Sequence, residues 1–271
     1  MTVMRRSAAV LALLCACASS SQGAKIVLVA GRPSHPPGEH EFNAGTLLLE
    51  KCLKQNQGVE TVIVKGGWPE DEKVFEGAGA IVLYMDGGAG HPIIKGARLE
   101  TLGKLMRKGV GLACLHYAVE VPQDNGGPQL LDWIGGYYER PYSQNPINEV
   151  PLTQASPRHQ ISRGWKSFQS KDEWYYRIRF RPDDKRLAPI LTTMLPKDAP
   201  IEETVSWAVE RGDGGRGFGF TGGHYHHNWG NDDVRKLVLN AILWTAKVEV
   251  PAAGVACQVT EEDLKQNLDR K

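Results

Sequence analysis

Two glycines, Gly222 and Gly223, are followed at once by His224, His226 and His227, three of the eight histidines in the chain. A second reactive pair, His116 and Glu120, stands four residues apart at the end of the apolar run Gly109–Leu115. Neutral imidazoles and a carboxylate are the donors that hold zinc or another divalent ion, with a position left for water or substrate. Such an ion polarises a carbonyl, stabilises an enediolate or activates water. If the chain is helical from Tyr117, His116 and Glu120 project the same way, as two ligands or as a base and its orienter. His116, His224 and His226 are therefore the expected metal ligands, with zinc the expected ion. Glu120, Glu173 and a free histidine such as His40 are the expected general bases. Further polar residues crowd Arg32 to Glu41, including His35 and His40, and Asp86 to His91.

These groups meet only if the elements before them end at one edge. Lys25–Gly31, Val59–Val64, Ala80–Tyr84 and Gly109–Leu115 are apolar runs of buried-strand type, and helical patterns at Phe42–Leu53 and Ile94–Lys108 separate them. This alternation predicts right-handed crossovers and a parallel sheet with helices on both faces. Phe218 and Phe220 alternate with glycines in a closing strand over Gly217–Thr221. Asn231 to Asp233 then cap a helix that ends near Trp244. In an open α/β sheet the turns after parallel strands share the carboxyl edge, where ligands bind.

From Val121 to about Pro200 the composition changes. Strands are expected at Glu149–Thr153, Glu173–Phe180, Pro189–Met194 and Val205–Glu210. They read as an antiparallel extension and lid rather than a separate domain. Trp133, Tyr137, Tyr138, Tyr142 and Trp174, with Arg140, have the aromatic and planar-donor character that packs against sugar rings; His35, Tyr138, Arg140 and Trp174 are the expected substrate contacts. After Val250 the tail has no core of its own, and Glu261–Leu268 is expected as a short surface helix.

Composition narrows the function. The 271 residues carry 32 Lys and Arg against 31 Asp and Glu, a net charge of +1 that gives no case for nucleic acid or an anionic membrane. Arg5 and Arg6, the apolar run Ala8–Ala18 and the small residues up to Ala24 read as a secretory signal peptide. That run is too short for a membrane span of about 20 residues. The expectation is a periplasmic or extracellular protein, with lipidation at Cys15 or Cys17 as the alternative. The domain plan is thus a signal peptide at 1–24, an α/β domain at 25–250 with an insertion at roughly 121–200, and a tail at 251–271. Cys52, Cys114 and Cys257 allow at most one disulfide. No dinucleotide or Walker fingerprint occurs.

Four stretches carry a resemblance to a known family: the strand entering Leu115-His116, His159 to Gly164, Asp172-Glu173-Trp174-Tyr175-Tyr176, and Gly223-His224 before the last helix. In order and spacing, over roughly residues 25–247, they resemble the ThuA-like, or trehalose-utilisation, family. The resemblance implies a flavodoxin-like sheet similar to the class I glutamine amidotransferases, a role with carbohydrates such as keto-sugars or glycosides, and in some members a zinc ion. It implies a small carbohydrate as partner and a lyase, hydrolase or isomerase as the enzyme class; a homo-oligomer is open. A non-catalytic sugar-binding module is the alternative. A Cys114-dependent amidase or peptidase is a further one, since Cys114 falls near the amidotransferase nucleophile. Leu115 and His116 stand, however, where the tight elbow needs small residues.

Overall fold

Strands buried on both faces have no polar alternation, and Ala24–Ala30 (β1) shows the pattern: Ile26 to Ala30 are all inaccessible. The protein is described by a computed structural model over residues 23–271. The expected signal peptide, with Cys15 and Cys17, lies outside the described residues except at its last two positions. Helix α1 (Phe42–Leu53) follows β1, then β2 (Val59–Val64), β3 (Ala78–Tyr84), α2 (Arg98–Arg107) and β4 (Gly111–Leu115). The middle of the chain adds α3 (Gly127–Trp133), β5 (Gly136–Tyr137), β6 (Ile147–Gln154), β7 (Phe168–Glu173), β8 (Arg179–Phe180), β9 (Leu187–Leu195) and β10 (Ile201–Glu210). It closes with β11 (Arg216–Phe220), α4 (Asp232–Thr245) and α5 (Glu261–Lys265).

The nine-stranded sheet runs β2-β1-β3-β4-β11-β10-β9-β6-β7. From β2 to β11 every pairing is parallel, which is the flavodoxin-like order. From β11 outward every pairing is antiparallel, so the extension continues the same sheet. Alternate residues of each parallel strand feed two cores. Ile26, Leu28, Val82 and Tyr84 face α1 and α4, whereas Val27, Val29, Ile81 and Leu83 face α2 and α3. The Phe-Gly alternation in β11 has a packing cause: a Cβ on Gly219 would come within 2.2 Å of the Trp207 ring on β10.

Val82 lies in the centre, 2 % exposed and paired with Leu28 on one side and Ala113 on the other. Val82→Asp is expected to cost several kcal/mol, because it buries a charge with no partner. Urea unfolding measures this, and a loss below about 1 kcal/mol would contradict the packing.

Four local expectations change. β2 is the sheet's edge and only partly buried. Of the strand expected over Glu173–Phe180 only the ends are extended, Glu173 closing β7 and Arg179–Phe180 forming β8; Trp174 to Ile178 form a largely buried loop with Arg177 at φ 52°, where the aromatic run had mimicked a strand. No α-helix follows Tyr117, only one 3-10 turn over His116–Val119. The tail does not stand apart either: Val250, Val255 and Cys257 join the main core. Among the described residues no helix is long and apolar enough to cross a membrane.

Candidate metal centre

His116 is the first residue after β4 and holds a positive φ of 52°. The sharp turn lifts its ring over the sheet edge, where Nδ1 meets the Thr221 carbonyl at 2.8 Å. A carbonyl only accepts, so Nδ1 carries the proton and Nε2 presents its lone pair. From β11 the chain passes Thr221, Gly222 and Gly223 (φ 107°) before His224. Glu173 ends β7, and His40, at φ 46°, comes from the loop between β1 and α1, its N–H bonded to the His224 carbonyl at 2.9 Å.

Donor atoms of these four residues all lie within 4.8 Å of one another. His40 Nε2 is 2.9 Å from His224 Nδ1 and 3.1 Å from His116 Nε2. Glu173 Oε2 is 3.4 Å from His224 Nδ1 and 3.5 Å from His116 Nε2. Two nitrogens on one tetrahedral zinc, at about 2.0–2.1 Å each, lie about 3.3–3.4 Å apart. Four of the six separations among these donors are thus close to the edges of a coordination polyhedron. Only His116 bonds its far nitrogen to an oxygen, the outer arrangement that metal-bound histidines use; behind the other two rings a carboxylate stands farther off. His116 faces Thr221; His40 Nδ1 is 3.5 Å from Asp86; His224 Nε2 is 3.5 Å from Glu39.

The electrostatics favour the ligating, neutral form at two of the three rings. Burial, then the neighbouring His35 and His224, push His40 down to about 2. Burial and His40 hold His116 well below the usual imidazole value. Both rings are therefore neutral, the form that ligates. Burial pulls His224 down too, but Glu173, Asp172 and Glu39 outweigh it and raise the net value. Burial would raise Glu173, yet His224 and His116 hold its carboxyl below the usual range.

Supporting residues fix these groups. Glu173 Oε1 accepts from Asn145, and Asn145 accepts from Tyr138, which leaves Oε2 for the histidines. Asp172 accepts the N–H groups of Gly223 and His224 at 2.8 and 3.1 Å. The tail reaches the His40 loop: Lys271 pairs with buried Glu41 at 3.3 Å, and Asp269 donates its N–H to the same carboxylate at 2.7 Å. Tyr175 Oη stands 3.4 Å from His116 Nε2.

The residues singled out by sequence separate accordingly. His116 and His224 meet, and Glu173 joins them. His226 does not: its Nε2 bonds the Leu264 carbonyl at 3.0 Å, and His40 takes the place given to it. Glu120 is also outside the group, since one 3-10 turn does not align residues four apart. Its Oε1 is 3.0 Å from Arg140 Nε, its Oε2 is buried without a partner, and burial pushes its carboxyl up to about 7 against the pull of Arg140. His35 stacks on His40 at 3.6 Å between ring centres. Tyr138 and Trp174 are buried; Trp174 packs against Phe220 and Gly222, so it belongs to the core rather than to a sugar face. Asn145, Tyr175 and Asp86 are additions from the tertiary structure. Asp86 alone had a local signal, its place at the end of β3.

Cys114 sits inside β4 and points into the core on the α2 and α3 side, and burial alone drives its thiol upward. The strained residue at the elbow is His116. Cys114→Ala should leave turnover within about tenfold of wild type, since a packing thiol contributes volume alone. Complete inactivation together with a covalent adduct at Cys114 would refute this. Cys52, Cys114 and Cys257 are all free.

The trehalose-utilisation (ThuA) family profile matches residues 27–245. A protein described as ThuA-like from Parabacteroides merdae superposes with a TM-score of 0.61 at 16 % identity, over 89 % of this chain and 99 % of that one. Another from Bacteroides uniformis gives 0.58 at 15 %, over 84 % and 93 %. A carbohydrate deacetylase gives 0.50 at 13 %, over 83 % of this chain and 32 % of that one. No curated protein matches significantly. With the profile spanning both the parallel sheet and all four donor residues, the chain belongs to the ThuA family.

Proposed function

We propose that the protein is a divalent-metal-dependent enzyme, exported through residues 1–24, that acts on a carbohydrate derivative at the carboxyl edge of the sheet. His40, His116, His224 and Glu173 would hold the ion, and zinc fits the imidazole-rich set. The observation that carries this reading is the convergence of three buried imidazoles and one carboxylate, whose donor atoms all lie within 4.8 Å of one another. Membership of a family described by trehalose utilisation supports a carbohydrate, and a carbohydrate deacetylase shares the fold. Bound there, a divalent ion supplies Lewis acidity to a sugar carbonyl or a water.

The chain's own groups do the rest. Thr221 keeps the His116 ring in the ligating orientation, and Asp86 and Glu39 place a carboxylate 3.5 Å behind His40 and His224. Glu120, with a carboxyl near neutrality and a free Oε2, is suited to accept and return a proton. Arg140 holds its other oxygen. Metal analysis of residues 25–271, with turnover of keto-sugars and glycosides before and after chelation, tests the proposal. Stoichiometric metal and turnover that returns on reloading are expected. A folded protein that never retains metal would sink it, and sugar binding without turnover would leave a binding module.

A further inference from the structure

The carboxyl edge has a second concavity, at the ends of β1 and β3. In the order β2-β1-β3 the chain leaves β1 toward one side and comes back on the other. Such reversals open the crevice in which doubly wound sheets take ligands. A cavity of about 290 Å³ lies there, lined by Gly31 and Arg32 after β1, Asp86 and Gly90 after β3, and Lys95 and Arg98 at the approach to α2.

Three cations line this cavity against a single carboxylate, and that carboxylate is already engaged. Asp86 Oδ1 accepts from Ser34 at 2.8 Å and faces His40 and His35 at 3.5 and 3.8 Å. Arg98 is oriented by Trp68, whose ring centre is 5.2 Å away, and by one bond of 2.9 Å to the Pro92 carbonyl. The rest of its guanidinium fork has no partner among the described residues. Lys95 gives a single donor to the Ala89 carbonyl at 2.7 Å. Arg32 makes no ion pair among the described residues. Planar and ammonium donors left over in a concave site are what a carboxylate or phosphate requires. One carboxylate, Asp86, stands between this crevice and His40 of the four-donor group.

We propose that the crevice is an anion subsite of the same centre, so that the substrate is an acidic monosaccharide derivative, a sugar acid or sugar phosphate, rather than a neutral sugar. This rests on the carbohydrate reading above. The anionic group docks on Arg32, Lys95 and Arg98, and the sugar carbons extend past Asp86 toward the histidines.

Calorimetric titration with inorganic phosphate, glucuronate, glucose 6-phosphate and glucose tests the inference on wild type, Arg32→Gln and the Arg32→Gln/Arg98→Gln double variant, with metal content measured on each. At least one acidic sugar should bind about tenfold or more tighter than glucose, and the double variant should lose at least about tenfold of that affinity, as charged hydrogen bonds are removed. Preference for glucuronate assigns a carboxylate site, and preference for glucose 6-phosphate or phosphate a phosphate site. Unchanged metal content in both variants shows that the centre itself is intact. Glucose binding as tightly as the acidic sugars, or anion binding indifferent to both variants, overturns the subsite. Arginine-dependent anion binding by a protein without metal would retain the subsite and remove the metalloenzyme reading. Retained metal with no anion binding would do the reverse.

Discussion

His116→Ala and His224→Ala should each yield folded protein without metal, whereas His91→Ala, His226→Ala and His227→Ala should retain it. The contrast follows from what each ring touches. His116 and His224 each present a nitrogen 2.9–3.5 Å from donor atoms of His40 and Glu173, separations that ligands of one ion can have, and losing one such donor opens the group. His91 has both nitrogens committed, Nδ1 to the Ile93 N–H and Nε2 to the Ala118 carbonyl. His226 is tied to Leu264, and His227 is exposed against Tyr225. Asp86→Asn and Glu39→Gln leave the ligands in place and remove the carboxylate behind a ring, so they should weaken the metal about 10–100-fold. Elemental analysis of the purified variants, with circular dichroism to confirm folding, reads all of this. Stoichiometric metal in both His116→Ala and His224→Ala would end the proposal. Loss of metal in His226→Ala would mean that the ligand set inferred from the structure is wrong.

The choice between His40 and His226 also shows which information is local. β1, β3 and β4 could be read directly, because a strand covered on both faces leaves only apolar residues along its length. The strand-to-helix ends then placed His116 and His224 on one edge. His226 stands two residues past His224 and would share its direction in an extended chain, yet the backbone turns into a 3-10 helix at that point. His40 is 184 residues from His224 and reaches it through a positive φ, a backbone bond to His224 and the ion pair between Lys271 and Glu41. No periodicity or spacing encodes those three contacts. Glu120 misled for a related reason: a separation of four is informative only if the turn is α-helical, and here it is 3-10. Asn145 lies in the irregular segment between β5 and β6, and its bond to Glu173 follows solely from how that segment folds back on β7.

Asp172→Ala is expected to lower stability by about 3–5 kcal/mol and to weaken metal binding at the same time. The carboxylate is 1 % exposed and takes four donors: Gly223 N–H at 2.8 Å, His224 N–H at 3.1 Å, Glu173 N–H at 2.8 Å and Asn228 Nδ2 at 2.9 Å. Burial raises its pKa despite these bonds. Alanine leaves the donors facing a void, and each buried donor without a partner costs about 1–3 kcal/mol. The sum is held to the lower figure because water can enter so polar a space. The functional consequence is separate from the loss of stability. Asp172 ties the backbone of β7 to the loop after β11, so it sets the distance between Glu173 and His224 before any ion is present. Without that tie the two donors move independently, and metal affinity should fall about 10–100-fold, as for other groups that orient ligands. Asp172→Asn keeps one acceptor oxygen and the side-chain volume, so it should lose less on both measures. Urea unfolding and competitive metal titration separate the two effects. An alanine variant within about 1 kcal/mol of wild type, with metal affinity unchanged, would show that the loop after β11 holds His224 in place without this carboxylate.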